Sequence, residues 1–152
     1  MQIRIRLAAA MAGILGCAWA YAQAPAARAE RELLTYVNQA RRAQRLPPLR
    51  WDESLAAAAR YHAAVMAAHG WAQHGFDGEP SLSARAKQAG AHFSWLAENV
   101  TQGPTAEFIH SQFMHSASHL ANILDRDMDS IGVGVVERGG QLFAVEDFSQ
   151  AR

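Results

Sequence analysis

Near its C-terminus the chain reads Ile131-Gly-Val-Gly-Val-Val136, then Gly139-Gly140, then an apolar run from Gln141 to Phe148. Two extended runs joined through a glycine pair form a hairpin, and hairpin strands are antiparallel neighbours. The first run is apolar throughout rather than at every second position, so a sheet that contains it has no face to give to water. Helices must cover both faces. The expectation is an α/β/α sandwich with a small, mainly antiparallel central sheet.

The rest of the chain supplies those helices. Leu33, Leu34, Val37, Ala40 and Ala43 recur at helical spacing over residues 30–45, and Leu46-Pro47-Pro48-Leu49 stops the helix. Trp51-Asp52-Glu53 starts a second one, with Asp52 as N-cap, a stripe of Leu55, Ala58, Ala59, His62, Val65, Met66 and His69, and Gly70 as C-cap. Residues 71–80, WAQHGFDGEP, hold turn-formers without periodicity and read as a loop. Ser81 caps a short helix that ends at Gly90, and 92–101 reads as a strand. Pro104-Thr105 opens a further helix carrying Phe108, Ile109, Phe113 and Met114. Ser116-Ala117-Ser118 speaks against its continuation, because serine favours caps and turns.

Set apart from this pattern, the N-terminus carries Arg4 and Arg6, an apolar stretch and Ala20-Tyr21-Ala22. That is the layout of a signal peptide over 1–22, and the apolar run is shorter than the roughly 20 residues a spanning helix needs. Residues 23–29 then form a short Ala/Pro tether and 30–150 the domain. The expected location is extracytoplasmic, secreted or periplasmic, with no transmembrane helix in the mature protein. Ile14-Leu15-Gly16-Cys17 approximates a lipoprotein processing site, so a lipid anchor at Cys17 is the alternative. Cys17 is the only cysteine, which leaves the mature domain without a disulfide. From residue 23 onward 12 Lys and Arg stand against 14 Asp and Glu, a net charge of −2 with no basic block, which argues against a nucleic-acid partner.

Chemistry-bearing residues fall into three groups. His115 and His119 are spaced to share one helix face and hold zinc, but a zinc-protease motif needs glutamate after the first histidine, and Ser116 stands there. Ser116 and Ser118 near His119 lack a nucleophile-elbow signature. His74 lies in the glycine-bearing loop HGFDG, where a side chain can point into a cleft or simply into solvent. His62 and His69 lie on or beside an apolar stripe and read as buried or rim histidines. Glu98, in Trp95-Leu-Ala-Glu-Asn-Val100, sits among residues a sheet should bury, so it needs partners, a shifted pKa or a cavity, unless it looks out from the strand end.

Taken in order, LLTYVNQARRAQRLPPLRW, WLAENV, FMHSASHLANIL, DSIGVGVV and FAVEDFS resemble the bacterial branch of the CAP superfamily. These are the SCP-like domains of cysteine-rich secretory, antigen 5 and pathogenesis-related 1 proteins. The resemblance spans roughly residues 31 to 150. It implies an α/β/α sandwich with a cleft lined by histidine and glutamate. His74 in HGFDG matches the first cleft histidine, Glu98 the glutamate of a G-E-N segment, and His119 the histidine of a G-H-x-x-N segment. Ser116 stands where many eukaryotic members carry a second cleft glutamate. Ala97 and Ser118 replace the usual glycines, and Leu120 stands where bacterial relatives usually carry arginine.

Two functions follow as expectations. In the first, a binding or interaction module holds a divalent metal, zinc by donor chemistry, on His74 and His119, with Glu98 and Ser116 lining the cleft. Its unknown ligand would be small or lipidic, or a cell-envelope component. The alternative is a metal-dependent hydrolase of peptide or cell-wall substrates, with Glu98 as the candidate catalytic base. A stable secreted scaffold with a vestigial cleft is the blandest possibility.

Overall fold

The computed structural model describes the backbone of residues 12–151 and the side chains of residues 25–150. The leader expected over 1–22 and the lipid acceptor Cys17 therefore lie outside the residues whose side chains are described. The elements are α1 (Ala12–Ala43), β1 (Arg50–Trp51), α2 (Glu53–His69), α3 (Leu82–Gln88), β2 (Phe93–Gly103), α4 (Ala106–His115), α5 (Ala117–Ile123), β3 (Ser130–Arg138) and β4 (Gln141–Ala151). The sheet order is β1-β3-β4-β2, antiparallel except for the parallel β1–β3 pair. Helix α2 packs on one face, while α1 and α4 cover the other. The three-layer sandwich expected from the hairpin is thus observed.

Caps explain most helix boundaries. Asp52 accepts from the Leu55 amide, Ser81 from Ala84 and Thr105 from Phe108. Gly70 closes α2 with φ of 86°, a left-handed turn that glycine adopts without steric cost. Ser116, at φ −101° and ψ 121°, breaks the chain between α4 and α5, so His115 and His119 belong to different helices.

The IGVGVV run is divided by the period of two that every strand imposes. Ile131, Val133 and Val135 enter the core formed with Leu33 and Val37 of α1 and Ile109 and Phe113 of α4. Gly132 and Gly134 face α2 instead, where a Cβ would lie 2.1 Å from the Ala56 and Arg60 amide nitrogens respectively. Helix α2 therefore rests almost directly on the β3 backbone.

Two differences from expectation stand out. Strand β1 is two residues long, too short to show any period, and the Arg50 and Asp52 amides hold it by donating to Asp129 O and Ile131 O at 2.9 Å each. The tether expected over 23–29 is helical, because α1 runs through Pro25. Ala29 enters the core, and Glu30 is buried with Oε1 accepting from the Val135 amide at 3.2 Å. Proline disfavours a helix interior by losing one N–H bond, but burial of the following turn outweighs that loss here.

Candidate functional site

Strand β2 is an edge of the sheet, and the cleft lies beside it. From one side comes the loop between α2 and α3; from the other comes α5. Asn122 of α5 donates to the Glu98 carbonyl at 3.4 Å and to Asn99 Oδ1 at 2.9 Å. Asn99 in turn donates to the His119 carbonyl at 3.2 Å, which ties α5 to the edge. The two asparagines thus fix where His119 stands.

His74 Nδ1 lies 2.9 Å from Glu98 Oε1, and the His74 and His119 ring centroids are 6.5 Å apart. The three residues matched by resemblance are therefore neighbours in space. Glu98 is almost wholly buried, whereas the His74 side chain is 62% exposed and caps the carboxylate from the solvent side. The other Glu98 oxygen, Oε2, is bonded by Arg85 Nη2, whose guanidinium is equally buried. Each carboxylate oxygen thus has a partner. The Ser116 hydroxyl meets Ser118 Oγ at 3.2 Å. His115 turns back along α4, Nδ1 donating to Ser111 O at 2.7 Å, which removes the local two-histidine zinc reading.

The pair has a clear electrostatic asymmetry. The hydrogen bond to Glu98 raises the His74 pKa above the ordinary imidazole value. Burial, with the nearby His74 charge second, lowers that of His119. One ring favours the proton and the other the free base.

Beneath the cleft lies a buried polar group that local sequence patterns did not reveal. His62, buried as expected, lies 2.6 Å from Glu79 Oε1 through Nδ1 and 2.8 Å from the Gln73 carbonyl through Nε2. A carbonyl only accepts, so Nε2 donates to Gln73 O, and Nδ1 faces the Glu79 carboxylate. Arg85 Nη1 reaches Pro80 O at 3.1 Å and lies 3.5 Å from Glu79. Asp147, opposite Glu98 on β4, is pushed well above the carboxylate range by burial and then by the Glu98 charge. On the other face Glu146 is raised to about 8 by burial and accepts from Asn99 at 3.2 Å. Adjacent acids in an otherwise apolar strand, as in Val145-Glu-Asp-Phe148, were a visible signal for these two. Arg85 and Glu79 offered none.

Among the described residues no group of three or more His, Cys, Asp or Glu side chains is arranged to hold a metal ion. The donor set nevertheless fits two imidazole ligands. Two histidines on one zinc place their ring centroids roughly 5–6 Å apart, a modest closure from the observed separation. Glu98 holds His74 through Nδ1, which leaves Nε2 facing outward in the arrangement common to carboxylate-supported metal histidines.

Comparison with known proteins completes the assignment. The model of the cysteine-rich secretory protein family, CAP, matches residues 34–148. Bacillus subtilis YkwD is 32% identical over 111 residues, covering 72% of this chain and 43% of YkwD. The chain thus spans less than half the length of that relative. Among solved structures, an extracellular SCP-domain protein of Bacillus anthracis matches with a TM-score of 0.76 at 21% identity, over 82% of this chain and 41% of that one. An outer surface protein of Borrelia burgdorferi matches at 0.75 and 18%, over 82% and 94% respectively. Those two show the same fold. With the family model spanning the domain from α1 to β4, the chain belongs to the cysteine-rich secretory protein (CAP) family.

Proposed function

We propose that this CAP domain works outside the cytoplasm as a binding module. Its cleft takes a divalent metal, zinc by donor chemistry, on His74 and His119, beside a small or envelope-derived ligand. The observation that carries the reading is the His74–Glu98 contact at 2.9 Å with the His119 ring beside it. Zinc bound there would polarise and orient a ligand in its remaining positions. Glu98 orients His74, Arg85 holds Glu98, and the asparagines hold His119. The extracytoplasmic setting is supported by the leader-like N-terminus and by the extracellular and outer-surface descriptions of the structural neighbours. Among the described residues no helix is long and apolar enough to cross a membrane.

Binding is favoured over hydrolysis by the state of Glu98. A general base needs a lone pair within reach of a water. Here the Glu98 side chain is almost wholly buried with His74 on its solvent side, so a water reaches it only past that ring.

Calorimetric titration with zinc tests the reading. One site is expected, weakened about tenfold or more in His74→Ala and in His119→Ala. Affinity should fall with decreasing pH as His74 takes its proton, beginning above the ordinary histidine pKa because its own is raised. Unchanged affinity in both variants would remove the metal site. Turnover of peptide or peptidoglycan that Glu98→Gln abolishes, with zinc affinity intact, would establish the hydrolase instead.

A further inference from the structure

The loop that carries His74 also carries an aromatic shelf. His69 stacks on Phe76 with centroids 4.1 Å apart and planes 13° from parallel. Trp71 stands edge-on to His69 at 5.5 Å and tilted to Phe76 at 5.8 Å. Its indole N–H donates to Gln73 Oε1 at 3.3 Å, yet the residue remains 52% exposed. Phe76 is partly buried against the core on the α2 face, so the shelf is rooted rather than protruding.

The loop is also held in place. His62 bonds the Gln73 carbonyl from below, and Glu79 accepts from the Phe76 amide at 3.2 Å while pairing with His62. The Glu79 amide returns a bond to Phe76 O at 3.0 Å. A buried histidine–carboxylate pair thus anchors an exposed ring, and a platform ordered in advance loses little entropy on binding.

The surroundings select the occupant. Residues 61–84 contain no Lys or Arg but do contain Asp77 and Glu79. Arg138 approaches the end of α2, where it donates to Ala67 O at 2.6 Å and Ala68 O at 2.9 Å. Phosphate polymers and anionic headgroups need a cationic frame, and residues 61–84 supply no Lys or Arg to one. A bilayer wedge would need several protruding apolar side chains, and one indole is offered. What fits a rigid aromatic face with polar neighbours is a ring with an apolar C–H face and hydroxyls at its rim. Asp77, exposed in the same loop, supplies an acceptor for such hydroxyls.

We propose that the His69–Trp71–Phe76 shelf is a glycan-stacking site that seats an uncharged sugar ring of a polysaccharide strand against Trp71. It adds a partner class to the binding-module reading and does not depend on the metal.

The test titrates the purified full chain, in EDTA, with hexamers of N-acetylglucosamine and of glucose, both β-1,4-linked, and with phosphatidylcholine vesicles as a third ligand. Saturable binding to at least one hexamer is expected, with the Trp71 indole resonance shifted. Trp71→Ala should weaken it by about tenfold or more, as the loss of a stacking partner does, and Trp71→Phe by less. Trp95→Ala, at the more exposed tryptophan (63%), should leave it unchanged. Hexamer binding is read without metal and zinc binding without hexamer, so the two readings fail separately. Absence of saturable binding to both hexamers, binding indifferent to Trp71→Ala, or Trp71-dependent binding to vesicles alone would overturn the proposal.

Discussion

Glu146 and Asp147 are neighbours on β4 and point to opposite faces, each into the interior. With its pKa raised to about 8, Glu146 is neutral at pH 7 in the folded chain. The unfolded chain releases that proton near the ordinary value, so the residue opposes folding increasingly from about pH 4.5 to 8 and fully above it. Glu146→Gln keeps the acceptor for Asn99 and removes this cost. Its stability advantage, measured by urea denaturation, should grow from pH 5 to pH 8. His74 has a related dependence from the opposite charge. Its raised pKa contributes stability that is complete below the unfolded imidazole value and lost as pH rises through the folded one. Exposure of the ring keeps this term small. His74 and Glu98 drew notice by their setting, a histidine in a glycine loop and a carboxylate in a strand, but it was the family resemblance that joined them with His119. Arg85 and Glu79 were not, because an ion pair closed by folding leaves no local pattern.

Among the elements, the β3–α2 contact decides most about position. The sequence showed that IGVGVV has no wet face, and the structure shows two different reasons. One face is covered by side chains packed on side chains; the other is bare backbone under a helix. Gly134→Ala places a methyl 2.1 Å from the Arg60 nitrogen, so α2 must move. A loss of about 3 kcal/mol is expected by chemical denaturation, at the upper end for overpacking because backbone rather than a rotamer must yield. Val135→Ala on the other face should instead cost what a small cavity costs, about 1–2 kcal/mol. Caps and glycines marked α2, α3 and α4 correctly. The two-residue β1 escaped notice because its pairing, not its composition, makes it a strand.

For the molecule as a whole, the single cysteine, Cys17, has no cysteine to pair with, which raises the question of what ties distant segments together. Arg41 of α1 is 1% exposed and donates to Pro47 O at 2.9 Å, Ile123 O at 2.9 Å, Asp125 O at 2.7 Å and Met128 O at 3.1 Å. One guanidinium thereby joins α1 to the chain before β1 and to the turn between α5 and β3. Arg41→Met should lower stability by more than about 3 kcal/mol, since four carbonyls lose their donor together. Reductant should leave the thermal midpoint unchanged. Such a long-range staple left no local pattern in the sequence.

The pinned loop of residues 71–80 carries a consequence for how this domain can diversify. Its buried contacts with the body run through Phe76 on the core and through Glu79 to His62 and Arg85, away from the outward surface. The outward positions, 71 and 77 among them, can therefore be exchanged as a cassette while the anchors keep its frame. A lineage could change what the domain recognises without having to rebuild the sheet.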